Sequence, residues 1–425
     1  DSFLKKMKNI KINNKILPFF CLIIFYAIFY LYFKKDVGND SSISEWLINY
    51  NGGFTRRGLG GEINIFISNI FDISLRSSIF YLQSALHLIF IFLLYFYLKN
   101  FYLNILQIFA LFSPLFLIYP IAEIEALGRK EILLLISFIA SVYFTDKKFS
   151  ANFFNYQILI TFPILCLIWE QVVLFVPFFI VLIIYKNNLK SFQDSLKYSL
   201  LIFAPSIITF FLIFNNPLSM EGHKIMCEFL QNKFDERCYM SAVLLVKNTI
   251  YFDTLHIHVS AKFFPDYFRY LLIFIIGFGF LHLSLITNHF TNKENFISVH
   301  FKPIYLFFLL YLPVVPLFVF GLDWGRWINI MYSLSIILYF YLLKNSHITN
   351  LYVVRSELLK KILEKKILLF FIFYLFAFYW NPKTVITGDI ATNTLYKIVY
   401  NSSKKIFNFD SIRIFQDNPI IKFHK

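Results

Sequence analysis

The sequence predicts an all-α fold, a polytopic bundle of transmembrane helices, and three observations predict it. Hydrophobic residues make up 58% and aromatic residues 21% of the 425 positions. A soluble domain of this length cannot hide that much apolar surface, because surface-to-volume scaling forces polar exposure. Only 15% of residues are charged, and they gather between apolar runs instead of scattering. The runs themselves approach the roughly 20 residues that a helix needs to cross a bilayer.

In chain order, apolar runs cover 17–33, 78–98, 101–119, 132–145, 198–214, 270–287, 304–321, 328–343 and 367–380. The first follows lysines at 5, 6, 8, 11 and 15. It resembles a secretory signal, but no small-residue cleavage site follows and Lys34-Lys35-Asp36 comes at once, so it reads as a retained helix. The stretch 156–185 is too long for one ordinary span. Trp169-Glu170-Gln171 stands at its centre between Pro163 and Pro177, which predicts two short helices meeting at Glu170. The total is about eleven spans. Residues 63–73 alternate apolar and polar sides and predict a short interfacial helix. Loop 215–269 is expected to fold back as a cap with helical content. Residues 1–380 thus form one transmembrane domain with outer loops 34–77 and 215–269, and 381–425 an extracytoplasmic tail.

Orientation follows the basic loops. The N-terminal lysines, Lys147-Lys148, Lys186, Lys190 and Lys197, and the lysines from 344 to 366 all fall on one side if the N-terminus is cytoplasmic. The same parity places 34–77, 120–131, the Glu170 junction, 215–269, 322–327 and the tail on the outer side. The tail, with seven lysines and arginines, runs against the positive-inside rule, which acts weakly on long segments. The net charge of +15 therefore suits an anionic leaflet, and no basic soluble domain exists to bind nucleic acid. Of four cysteines, Cys21 and Cys166 sit in apolar spans as small hydrophobes. Cys227 and Cys238 share the cap loop and are either free thiols or, in an oxidising compartment, a disulfide.

The chemistry-bearing clusters lie at span ends, where charge is expensive and usually functional. Asn51 to Glu62 holds five glycines between 52 and 61, a density that predicts a non-helical loop. Gly52, Gly53 and Gly58 allow tight turns and close backbone approach. Arg56 and Arg57 between them fit a phosphate clamp, since guanidinium groups grip phosphates with two prongs and stay charged; lipid headgroups or nearby carboxylates are the plainer partners. Glu170, deep in apolar sequence, is a base, proton relay or metal ligand, or the structural partner of Arg56, Arg57, Arg129 or Arg326. Asp323 and Arg326 share a helix face. Asp323 can act as a base or merely as a cap, whereas Arg326 at a helix N-terminus opposes the dipole and calls for an anion. Arg129, within Gly128-Arg129-Lys130-Glu131, belongs to a charged turn. His256, His258, Asp253 and Asp266 offer unspecific metal spacing. Asp36, Asp40 and Glu45 read chiefly as solvated loop acids. No nucleotide-binding, zincin or hydrolase signature is present.

Four features together resemble the polytopic GT-C glycosyltransferases, which use polyprenyl-linked sugar donors, and the related O-antigen and capsule polymerases. They are the Arg56-Arg57 outer loop with its acids, the interfacial helix after it, Trp169-Glu170 between short helices before Pro177, and the Asp323-Trp324-Gly325-Arg326 turn. The pattern usually carries its base in the first outer loop, and here Asp36, Asp40 and Glu45 stand in no recognisable motif. The resemblance implies a protein of the bacterial inner membrane with a lipid-linked sugar donor, a glycan or lipid acceptor, and bound membrane lipid as partners. Within it, Glu170 or Asp323 would take the acceptor proton. Arg56, Arg57, Arg326 and Arg129 would hold the phosphate, so no cofactor is required, a divalent metal being left open. The rival reading is a transporter or flippase with Glu170 in a broken helix pair, although no second copy of that pattern exists. An assembly subunit whose charges only pair internally is the third.

Overall fold

The computed structural model describes residues 10–11, 16–36, 41–99, 101–238, 242, 245–246, 264–349, 365–386 and 393–407. Asp40, Asp253, His256 and His258 lie outside these residues. The described chain is an all-α helical bundle. Strand β1 (Ile10–Lys11) precedes helix α1 (Leu17–Lys34); α2 (Leu59–Phe71) and α3 (Leu75–Leu98) follow a loop of short turns. Strand β2 (Tyr102–Leu103) leads to α4 (Ile105–Leu111), then α5 (Glu131–Phe144), α6 (Ala151–Ile168), α7 (Val176–Asn187), α8 (Phe192–Phe214) and α9 (Met220–Phe234). Last come α10 (Phe264–Thr287), α11 (Pro303–Tyr311), α12 (Val315–Phe320), α13 (Trp324–Lys344), α14 (Lys366–Phe378) and α15 (Thr394–Phe407). Among the described residues, eight helical stretches are long and apolar enough to cross a membrane, and α5 and α14 are shorter apolar helices.

Local signals explain the boundaries. Ser74, Ser150, Ser191 and Ser219 each accept a backbone N–H in the first turn of α3, α6, α8 and α9, the usual role of serine at a helix start. Asn104 and Gln107 form a reciprocal capping box on α4. α13 is the central helix: nearly all of its side chains from Gly325 to Leu342 are buried. By contrast, α8 and α14 present phenylalanine and leucine outward, including Leu201, Phe211, Phe214, Phe370 and Phe371, as lipid-facing helices do.

The run 101–119 does not form one span. It breaks at Ser113-Pro114 into α4, turns and a short helix Tyr119–Ala122, yet it still traverses the bundle antiparallel to α13. Gln107 bonds to Tyr339 at 3.1 Å, the Tyr332 hydroxyl donates to the Ala110 carbonyl at 2.5 Å, and Asn329 donates to the Leu115 carbonyl at 2.6 Å. Freed backbone groups are thus met by polar side chains of the buried helix, which is how a membrane protein tolerates broken helices. The two ends are distinct. β1 pairs with β2 at one end, and Lys186 closes the loop of Thr145, Asp146 and Phe149 there. The loop 41–62, Glu123 to Glu131 and the Glu170 junction share the other end.

Two glycines of the 52–61 segment depart from the expected loop. Gly60 and Gly61 open α2, and both are buried. A Cβ on Gly61 would lie 2.0 Å from the Ile48 carbonyl oxygen, so glycine serves close packing there. α2 extends the predicted interfacial helix. It buries Gly60, Asn64 and Ser68 and exposes Phe66, Ile70 and Phe71. The cap loop contains α9, and a disulfide joins Cys227 to Cys238. Ile48, Leu218, Met226, Ala242 and Leu245 form a small cluster that seats the cap on the loop after α1. The described part of the tail packs on the bundle. Gly325 donates to the Thr384 carbonyl, Ile386 to the Leu322 carbonyl, and Lys397 pairs with Glu123.

Candidate functional site

The site is built around the helix break. Trp169 is buried and extended (φ −156°, ψ 101°), and a 3-10 turn, Glu170–Phe175, precedes α7. Pro177, in the first turn of α7, suits a helix start. The break leaves Glu170 at the end of a span instead of inside a continuous helix, with its carboxylate turned toward the loop after α1.

That loop is folded to present its arginines. Asn49 accepts from the Asn51 backbone N–H at 2.9 Å, and Glu62 reaches back to the Tyr50 N–H at 2.7 Å. Gly53 has φ +112°, which favours glycine, and Gly52 lies so close to Gly222 of α9 that a Cβ would sit 1.9 Å from the Gly222 carbonyl oxygen. Gly58 leaves room for the Tyr50 ring, which a Cβ would meet at 2.2 Å. Arg57 itself is left-handed (φ 65°), a conformation that costs a non-glycine residue about 1 kcal/mol. The buried Lys130 holds it there by donating to the Arg57 carbonyl at 2.9 Å.

The Arg57 guanidinium grips both oxygens of Glu170: Nε donates at 3.1 and 2.8 Å and Nη2 at 2.8 Å. Arg56 Nη1 stands 3.7 Å from the same Oε1. Beside this group lies a second one. Arg129 donates to Glu45 at 2.6 Å and to the Glu125 carbonyl at 2.8 Å. Arg326 pairs with Glu131 and Asp323 and stands 4.0 Å from Glu45. Burial opposes the charge of Glu45, but Arg129, Arg326, Arg57 and Lys130 outweigh it and hold its pKa down to about 2. Burial, aided by Arg57, pushes the Lys130 amine down to about 7 against the pull of Glu45, Glu170 and Glu131. The indole of Trp46 lies 5.6 Å from the Lys130 nitrogen and donates to the Gly128 carbonyl at 2.7 Å.

A cavity of about 540 Å³ opens on the first group. Arg56, Glu170 and Gln171 line one wall, and Leu174, Phe210, Phe214, Leu317, Phe320 and Trp327 line the rest. Phe214 and Phe320 are 70% and 46% exposed, so the apolar wall continues to the outer surface of the bundle. The cavity can therefore receive a molecule with an anionic head and a hydrocarbon tail.

Arg56, Arg57, Arg129, Glu170, Asp323 and Arg326 meet at this end, but in different places. Arg56 and Glu170 line the cavity. Arg57 stands behind Glu170. Arg129, Arg326 and Asp323 belong to the adjoining carboxylate group. Glu45, ranked in the sequence among solvated acids, is buried and joins Arg129 to Arg326 within the adjoining group; its neighbour Trp46 was the local sign of burial. Asp36, by contrast, is exposed. Among the described residues, His223, Cys227 and Cys238 lie close enough to share a metal ion, but the two sulfurs are bonded to each other and are not thiolate donors. Asp266 pairs with Arg269. The architecture is that of an integral membrane protein with one polar end. The chain matches no protein-family model, no curated protein and no solved structure.

Proposed function

We propose that the chain is a membrane-embedded glycosyltransferase or polysaccharide polymerase of the GT-C kind, acting on polyprenyl-phosphate or -pyrophosphate sugars. The observation that carries this reading is the cavity with Arg56 and Glu170 at one wall and phenylalanine, leucine and tryptophan at the other. The phosphate of the donor sits against Arg56 and Arg57, and its lipid runs along Phe210 and Phe214. Glu170 takes the proton from the acceptor hydroxyl as the hydroxyl oxygen bonds to the anomeric carbon. The bond from that carbon to the phosphate oxygen breaks, the electron pair leaves with the lipid phosphate, and the two guanidinium groups meet the growing charge. Asp323, Arg326, Arg129 and Glu45 form the frame. The reading includes a cytoplasmic N-terminus and a site on the outer face of a bacterial inner membrane. In its support, the disulfide shares the end of the site, as oxidising compartments favour, and Lys186 and Lys344 lie at the opposite end.

Transfer from a radiolabelled polyprenyl-linked donor tests it. Arg56→Ala should weaken donor binding by roughly tenfold to a hundredfold, the effect of losing one charged hydrogen-bond donor. Glu170→Gln should abolish transfer while the donor still binds. Unchanged transfer in both variants would refute the reading, and movement of an intact donor across the membrane without bond cleavage would establish the transporter instead.

A further inference from the structure

Arg57 and Arg56 are neighbours in sequence and both reach Glu170, but they do so differently. Arg57 blocks both carboxylate oxygens with three hydrogen bonds, whereas Arg56 lies 3.7 Å from one oxygen and lines the cavity. A carboxylate gripped on both oxygens by a guanidinium fork keeps spare lone pairs, but the charge-assisted bonds stabilise its ionised form and make it a weaker base for an incoming hydroxyl proton. As it stands, the pair is a protected base. The backbone of Arg57 is fixed independently of its side chain, by Lys130 on its carbonyl and by the close fit of Gly58 under Tyr50. Its side chain can therefore change partner without moving the loop.

We propose that Arg57 is a latch on Glu170, which the anionic head of the donor releases. The inference rests on the donor assignment above and deepens it. A phosphate seated on Arg56 offers the neighbouring fork the same two-pronged geometry as a carboxylate, with an equal charge in a phosphodiester and twice the charge in a pyrophosphate diester. Arg57 then exchanges Glu170 for the phosphate, and Glu170 becomes available only when the leaving group is in place. Arg57 acts through Glu170 and is a positioning residue. The device imposes an order, donor before acceptor, and keeps Glu170 from activating other hydroxyls while the donor site is empty.

Carbodiimide modification of Glu170, read by mass spectrometry on the full chain in lipid nanodiscs, tests the latch without relying on turnover. The reagent bonds to a carboxyl oxygen, and the Arg57 fork both shields the Glu170 oxygens and makes them poorer nucleophiles. Glu170 should label weakly in the unliganded protein, and farnesyl phosphate should raise labelling by about tenfold, the factor for loss of one charged hydrogen-bonded contact. Inorganic phosphate in parallel shows whether the head alone suffices or the lipid tail is needed. Arg57→Gln should label strongly without ligand, and Arg57→Lys should return part of the protection. Binding of radiolabelled farnesyl phosphate to the same nanodiscs is followed separately by filter retention. Binding without increased labelling overturns the latch and leaves the donor reading standing; so does wild-type labelling as strong as that of Arg57→Gln. Failure of farnesyl phosphate to bind overturns the donor reading and the latch with it.

Discussion

Replacing Glu45 with glutamine tests whether the charged end is a coupled frame. Glu45 is 6% exposed and accepts from Arg129 at 2.6 Å, with Arg326 4.0 Å away. Its pKa falls from 4.5 to about 2 because four cations outweigh its burial. Removing one partner of a buried pair and leaving a charge behind costs roughly 3–5 kcal/mol. Glu45→Gln keeps the shape and leaves Arg129 without its carboxylate. Thermal unfolding in detergent at pH 7 should shift down by roughly 3–6 °C. The Arg129→Met variant should also be destabilised, and the double variant should lose less than the two single losses combined, because no orphan charge remains. The pH dependence has a definite sign. A carboxylate with a depressed folded-state pKa contributes its stability above the unfolded value of 4.5 and loses it as pH falls toward 2. The wild-type advantage over Glu45→Gln should therefore shrink across that acid window. An unchanged melting temperature, or strictly additive losses, would show that the carboxylate is not coupled to the arginines.

Other tests bear on neighbouring parts of the same end. Lys130, lowered from 10.5 to about 7 chiefly by burial, binds fewer protons folded than unfolded between those values, so stability should rise with pH across that window. Lys130→Met should lack that rise in thermal melts between pH 7 and 10. Reducing Cys227–Cys238, which lie 11 residues apart, should remove about 2–3 kcal/mol of constraint from the cap. Hydrogen exchange should then quicken in 218–238 while α13 stays protected. Gly52→Ala places a methyl group against the Gly222 carbonyl, and limited proteolysis should find the cap loosened.

What the sequence made legible was the part that depends on local pattern. Apolar length located the helices, and the polar interruption Trp169-Glu170-Gln171 before Pro177 marked the broken span, because a carboxylate cannot sit inside a continuous lipid-facing helix without a partner. The same rule drew attention to Arg57, Arg129 and Arg326. What stayed hidden depends on contacts between distant segments. Arg57 and Glu170 are 113 residues apart, and no local signal says which of four arginines Glu170 would choose. Glu45 looked like a loop acid because its burial comes from Arg129 and Arg326, far along the chain. The run 101–119 looked continuous because Asn329, Tyr332 and Tyr339, the groups that satisfy its broken backbone, belong to α13. Gly60 and Gly61 looked like loop residues because the Ile48 carbonyl that demands them is invisible in the local pattern.

The cost of the charged end bears on its purpose. Buried ion pairs seldom stabilise a fold more than apolar residues of the same volume would, because desolvation offsets their attraction. Stability alone therefore gives no reason to place Arg57, Arg129, Lys130 and Arg326 opposite Glu45, Glu131 and Glu170 at the end of an apolar bundle. Position does. Arg129 and Arg326 fix Glu45 and Glu131, Lys130 fixes the left-handed backbone of Arg57, and Arg57 fixes Glu170 on the cavity wall beside Arg56. These contacts crowd one end of the bundle, where one carboxylate and one guanidinium face an apolar cavity. In the proposed reading, that carboxylate is the base and that guanidinium the anion site beside the lipid-lined space.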